Sequence, residues 1–233
     1  MQESDSQRAR QIQRMFGRIF SRYDVINHVM TGGMDTGWRR LTARLVQPAG
    51  ANALDVGAGT GELVRQLLRA GAHSIVAADF SPAMLDVGRR KLGSQRRLHW
   101  LIADALRLPF PDNSFDCVTS AFLLRNLVDL PGGFREMIRV LRPGGRLACL
   151  DITHPGSGLI GAGYRLYFQR LLPPLAGTLS GDRQAYDYLR NSLTGFPNAE
   201  GLSRLLSQAG LQDVRYRKLG LGTVAVHWGR RLN

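Results

Sequence analysis

The chain is poor in cysteine, poor in acid and without long apolar runs, and each shortage removes a class of protein. Cys117 and Cys149 are its two cysteines; each lies inside an apolar run, and they are not spaced as Cys-x-x-Cys. This argues against a disulfide framework, a zinc ribbon and a thioredoxin-like redox motif, and it favours a reducing compartment. No metal-ligating pattern is expected. No stretch reaches the roughly 18 apolar residues of a membrane-spanning helix. Residues 1–10 mix charges with no apolar segment, so no secretion signal is expected and the expected location is cytoplasmic. Repeats and low-complexity tracts are missing too, and the 27 Gly and 10 Pro are scattered, which excludes collagen-like, linker-dominated and disordered readings.

What is present is ordinary globular composition, 44% apolar and 21% charged over 233 residues, enough for a single α/β domain. The acid deficit is the exception: 31 Lys plus Arg face 18 Asp plus Glu, a formal net charge of +13. Such a surplus suits an anionic partner, either nucleic acid or a membrane surface rich in acidic lipid. A solvated surface built largely of arginine explains it equally well, because no block of five like charges occurs.

Hydrophobic spacing sets the fold class. Over residues 11–20, Ile12, Met15, Phe16, Ile19 and Phe20 recur at three and four, the stripe of an amphipathic helix. Residues 35–46 repeat it with Trp38, Leu41 and Leu45 before Pro48 and Gly50, so a helical N-terminal extension occupies 1–50. Strands at 53–56, 74–79, 98–103, 115–122 and 146–152 then alternate with helices at 61–70 and 82–92. That alternation predicts βαβ units and a mostly parallel sheet covered on both faces, over a core at 51–152. A helical insertion, 153–197, holds segments 159–172 and 183–193 after the fifth strand; a helix at 199–209 and strands at 214–218 and 223–228 close the chain, 198–233.

Chemistry first shows in Leu54-Asp55-Val56-Gly57-Ala58-Gly59-Thr60-Gly61, where the first strand turns into a helix. Glycines at alternate positions let backbone approach a ligand closely. The spacing is Gly-x-Gly-x-Gly, not the Gly-x-Gly-x-x-Gly that seats a pyrophosphate on a helix N-terminus. Asp79 closes the second strand, where a carboxylate can accept from both hydroxyls of a ribose. Asp104-Ala105 ends the third, and Arg142-Pro143-Gly144-Gly145 marks a turn into the fifth. Together these resemble the S-adenosylmethionine-dependent methyltransferases, which implies a Rossmann-like seven-stranded methyltransferase fold.

Flanking segments narrow the resemblance. Tyr23-Asp24-Val25-Ile26-Asn27 with Gly37-Trp38-Arg39, then Phe122-Leu123-Leu124-Arg125-Asn126, and Asp182, Tyr188-Leu189, Ser192, Phe196-Pro197, Ala209-Gly210, Gly222 and Ala225-Val226-His227 with Gly229 are similar to the ubiquinone and menaquinone biosynthesis C-methyltransferase family. The likeness spans about residues 11–230. It implies S-adenosylmethionine bound by Asp55, Gly57, Gly59, Thr60, Gly61, Asp79, Phe80, Asp104, Ala105 and Ala121. Asp104 stands where the family usually has Asn, and Ala121 where some members carry Ser. The implied reaction is methyl transfer to a ring carbon of a prenylated hydroquinone, demethylmenaquinol in the first place, with a benzoquinol precursor or another small apolar acceptor as the alternative. Arg125 and Asn126 would act on the acceptor. Tyr23, Asp24, Asn27, Leu123, Tyr164, Phe168 and Phe196 would line its site, with Leu123 bulkier than the family Gly. The implied partners are a prenylated quinol, the anionic face of a membrane and a second copy of the chain. Nucleic acid is not among them: the element after the fourth strand is not the Asp-Pro-Pro-aromatic type of amino-base methylation, and Cys117 is expected buried in a strand. His154 and the lone strand histidine His227 are weaker candidates for a base.

Overall fold

The computed structural model describes residues 31–153 and 195–232; the helices expected at 11–20, 159–172 and 183–193 lie outside the described residues. The apolar runs form strands β1 (Asn52–Val56), β2 (Ser74–Asp79), β3 (Leu98–Ile102), β4 (Phe115–Ala121) and β5 (Leu141–Ile152), all paired in parallel. β6 (Gln212–Leu219) and β7 (Val224–Arg230) complete a seven-stranded sheet of order β3-β2-β1-β4-β5-β7-β6, in which β7 is antiparallel to both neighbours. From β1 the chain first steps outward to β2 and β3, then returns to place β4 on the other side of β1. A topological switch point therefore lies between β1 and β4, and ligands bind outside the carboxyl ends of the strands at such a point.

Helices α1 (Met34–Leu45), α2 (Glu62–Arg69), α3 (Pro82–Leu92), α4 (Leu130–Val140) and α5 (Ala199–Gln208) cover the sheet. α3 begins where its sequence says, because the Ser81 side chain accepts from the Met84 N–H at 3.4 Å and Pro82 opens the first turn. Alternation along β1 divides the core in two. Leu54 and Val56 join Phe134, Met137, Leu202 and Leu206 under α4 and α5, whereas Ala53 joins Ala43, Leu63, Val64 and Leu67 under α1 and α2. Both faces being buried, the parallel strands read as continuous apolar runs.

Strand limits shift from expectation by a residue or two at several ends, and at β4 and β5 the reason is local. β4 stops at Ala121 because Phe122 turns to φ 60. β5 starts at Leu141, and the turn expected at Arg142 to Gly145 is a bulge inside it: Leu141 pairs with Phe115 and Arg146 with Cys117, with Gly144 at φ 77.

Candidate active site

Three carboxylates end three of the parallel strands, and their surroundings differ. Asp55, on β1, is fully buried on the α1 face, where the Thr119 hydroxyl donates to its Oδ1 at 2.8 Å. Burial pushes its pKa up to about 7, against the pull of Thr119 and of the Arg39 charge on α1. Asp79, on β2, accepts the Gly59 N–H on Oδ2 and the Ser81 N–H on Oδ1, each at 2.8 Å. Burial raises its pKa too, opposed by the backbone donors of Ser81, Gly59 and Phe80. Asp104, past the end of β3, is exposed and folds its Oδ1 back on the Leu106 N–H at 2.9 Å; Ala105 beside it is buried.

The glycine loop lies against Asp79. Gly57, Gly59 and Gly61 have φ of 72, 55 and 84, a left-handed run that other residues adopt at a cost. Phe80 and Ile102, 40% and 54% exposed, flank the ends of β2 and β3 with open apolar surface. Gly57, Gly59, Gly61, Asp79, Phe80, Asp104 and Ala105 thus lie together at the carboxyl ends of β1, β2 and β3. Thr60 is buried in the same loop, and Ala121 packs between the core under α2 and that under α1.

On the β4 side, Phe122 holds the left-handed φ that an aromatic residue rarely takes, a local strain of about 1–3 kcal/mol. Two guanidinium groups approach its ring, Arg39 at 4.9 Å and Arg125 at 5.8 Å from the centroid. Leu123 follows and packs on the glycine loop: a Cβ on Gly57 would stand 2.9 Å from three Leu123 carbons. Arg125 and Asn126 form a short 3₁₀ turn, Leu124–Asn126. Asn126 Nδ2 donates to the Phe122 carbonyl at 3.4 Å. Arg125 Nη1 donates both to that carbonyl at 3.1 Å and to Asp151 Oδ1, at the end of β5, at 2.7 Å. The pair is buried, with side-chain exposures of 6% and 1%.

Asp151 stands in none of the quoted motifs, and Arg39 and Phe122, though inside two of them, were given no role there; the structure brings all three around Arg125. Asp151 carried the same signal as Asp55 and Asp79, an acid closing an otherwise apolar parallel strand. Phe196 is half-buried against the core under α4 and α5. Tyr23, Asp24, Asn27, Tyr164, Phe168 and His154 lie outside the described residues. His227 is buried on β7; its Nε2 donates to the Ala199 carbonyl at 2.9 Å, its ring stacks on Tyr216, and burial lowers its pKa. Cys117 is buried in β4 with its thiol pushed up to about 12, mainly by burial, which suits no nucleophile.

A doubly wound sheet with an antiparallel β7, a glycine loop after β1 and a carboxylate closing β2 is the Rossmann-like fold of S-adenosylmethionine-dependent methyltransferases. An S-adenosylmethionine-dependent methyltransferase of Thermotoga maritima superposes with a TM-score of 0.66 at 17% identity, over 94% of this chain and 99% of that one. The [4+2]-cyclase SpnF gives 0.69 at 19%, over 96% and 97%; at such identities the likeness is one of fold. Within that fold the chain belongs to the ubiE/COQ5 methyltransferase family, whose model matches residues 1–231. A demethylmenaquinone methyltransferase of Roseiflexus castenholzii is 43% identical over 96% of this chain and 94% of its own length. A ubiquinone/menaquinone biosynthesis C-methyltransferase of Desulfotalea psychrophila is 39% identical over 94% and 89%.

Proposed function

We propose that the chain methylates a ring carbon of a prenylated hydroquinone, converting demethylmenaquinol to menaquinol with S-adenosylmethionine as donor. The observation that carries this reading is the near full-length likeness to a demethylmenaquinone methyltransferase. The residues at the carboxyl ends of β1, β2 and β3 fit the donor. Asp79 ends β2 beside the glycine loop, where a carboxylate can accept from a ribose hydroxyl, the loop brings backbone close, and Phe80 and Ile102 offer apolar surface to an adenine ring beside Asp104. Bound there, S-adenosylmethionine supplies an electrophilic methyl group on a sulfonium.

The protein's part is to make a ring carbon nucleophilic. When the neighbouring hydroxyl loses its proton, charge moves onto the ortho carbon, so a fixed cation near that oxygen favours the transition state. Arg125 supplies the cation after β4, beside the switch point; its guanidinium is too basic to act as the base itself. Asn126, tied to the same Phe122 carbonyl, holds the turn that presents it. No covalent nucleophile is needed. Tyr23, Asp24, Asn27 and Leu123 serve the ring and Tyr164, Phe168 and Phe196 the prenyl tail, and the protein works at the anionic face of a membrane, where such lipids reside, with a homodimer as its expected assembly.

A benzoquinol acceptor is the second reading, favoured by the ubiquinone/menaquinone name of the Desulfotalea relative. Deleting the gene and weighing the quinones that accumulate decides between them. A demethylated naphthoquinone supports the first, a demethylated benzoquinone the second, and an unchanged quinone pool overturns both.

A further inference from the structure

The face of β5 that carries Asp151 holds an unusual number of polar atoms without partners. Asp151 Oδ1 is fully engaged, accepting from Arg125 Nη1 at 2.7 Å and from the Ile152 N–H at 2.8 Å. Asp151 Oδ2 has no hydrogen-bond partner among the described residues, although the side chain is 1% exposed. Thr153 Oγ1, two residues on, and Ser120 Oγ on β4 are buried and unpartnered in the same way. Ser120 pairs with Cys149 and Asp151 follows at two residues, so strand alternation places all three side chains on one face. A buried carboxylate oxygen with no donor is costly, and in native proteins it calls for a reason such as a ligand or a catalytic task.

We infer that Asp151 is the proton acceptor for the acceptor's ring hydroxyl. The inference rests on the hydroquinone reading given above. The hydroxyl donates to Asp151 Oδ2; its O–H bond breaks, an O–H bond forms on the carboxylate, and the electron pair stays on the ring oxygen and spreads to the ortho carbon. That carbon takes up the methyl group: a C–C bond forms as the methyl–sulfur bond of the donor breaks, and the pair of that bond stays on the sulfur, which leaves as a neutral thioether. Its own C–H bond then breaks, the pair restores the aromatic ring, and the proton passes to solvent, while the proton held by Asp151 returns to the ring oxygen. Arg125 serves both partners: paired with an ionised Asp151 it is compensated, and once the carboxyl is protonated its charge faces the new phenolate. The other ionisable groups on that face do not compete for the task. Burial pushes the Cys149 thiol above its usual range. His227 pairs with Cys149, two residues further from the carboxyl end of the sheet than Asp151, and burial lowers its basicity.

The test is methyl transfer to demethylmenaquinol by purified full-length protein and its Asp151→Asn variant, with S-adenosylmethionine affinity measured separately by calorimetry. The amide can still accept from Arg125 but cannot take the proton. Turnover of the variant should fall about 10²–10⁴-fold at neutral pH, the range general bases supply, with cofactor affinity within two-fold. It should climb toward wild type near the ionisation of the hydroxyl, at roughly pH 10 for a phenol, and on a ring-halogenated acceptor already ionised at pH 8. A variant as active as wild type, or one impaired equally at every pH and on both acceptors, overturns the inference. Wild-type protein inactive on demethylmenaquinol overturns the acceptor reading and this inference with it. A second measurement needs no variant: in the wild type, deuterated solvent should slow turnover of demethylmenaquinol and leave the pre-ionised acceptor untouched, and an equal effect on both again overturns it.

Discussion

Asp55 and Asp79 end neighbouring strands, yet their surroundings assign them different work. Asp79 is fixed by backbone donors beside the glycine loop, and the proposed function gives its side chain the ribose of the donor. Asp79→Ala should cost on the order of 1.5–3 kcal/mol of S-adenosylmethionine binding, roughly ten-fold to over a hundred-fold in affinity. Calorimetry on the folded variant reads it, and unchanged affinity would remove the ribose assignment. Asp55 is a buried acid whose pKa is raised from 3.8 to about 7. Its sign follows from linkage: between roughly pH 4 and 7 the folded state holds a proton that the unfolded chain has released, so this group makes stability fall as pH rises. Above about 7 both states are ionised and the cost is constant. Asp55→Asn keeps an oxygen for the Thr119 hydroxyl and removes the titration. The melting temperature of the variant should therefore gain on wild type from pH 4 to 7 and then run parallel to it. A difference that is flat across that window would show that Asp55 titrates near its ordinary value.

The two loops that build the site touch at Gly57 and Leu123, and this contact sets what either loop tolerates. Gly57→Ala would bring a methyl to 2.9 Å from Leu123 carbons at a φ of 72. Overpacking costs about 1–3 kcal/mol and the left-handed conformation roughly 1–2 kcal/mol more. Pairing it with Leu123→Gly should recover the first part and leave the second, a coupling that denaturant unfolding of the four proteins measures; strict additivity would mean that the loops do not meet. The sequence made the elements bearing these loops legible, because β1 to β5 are apolar runs ended by Asp55, Asp79, Asp151 and the turn at Phe122. α4 was not legible. It carries Pro131, Gly132 and Gly133, which read against a helix, but Asp129 caps it by accepting the Gly132 N–H at 2.9 Å. Gly133 packs closely on Leu127, whose Cδ1 a Cβ there would meet at 2.6 Å. The Arg125–Asp151 pair was hidden for a related reason: its members are 26 residues apart, and only the β4–β5 register joins them.

Among the described residues, some arginines are tied to backbone carbonyls and others stand in series on an exposed strand. Arg231 Nη1 donates to the carbonyls of Ile138, Arg139 and Leu141, closing the end of α4. Arg97 does the same for Leu68 and Ala72 after α2, and Arg139 ties Leu108, Phe110, Asp112 and Glu136 together. These groups tie elements of the fold together. On the edge strand β6, by contrast, Arg215, Arg217 and Lys218 are all exposed in succession around Tyr216, and the hairpin they lead into reaches the carboxyl edge of β5, where Thr153 donates its N–H to Thr223. Basic side chains also blunt an edge strand against aggregation, so exposure alone does not separate the two roles. Salt does separate them. Attraction to an anionic bilayer amounts to about 1 kcal/mol per basic residue near the surface and fades within a Debye length, which shortens from about 10 Å at 0.1 M to about 3 Å at 1 M salt. The purified protein should sediment with vesicles containing acidic lipid, less with neutral ones, and progressively less as salt rises. Removing residues 1–20 should weaken the binding further if their apolar stripe enters the interface, and replacing Arg215, Arg217 and Lys218 with Gln should weaken it without touching S-adenosylmethionine affinity. Equal binding to acidic and neutral vesicles would reduce the +13 charge to a solvated surface, whereas tighter binding to RNA than to acidic lipid would place the anionic partner elsewhere.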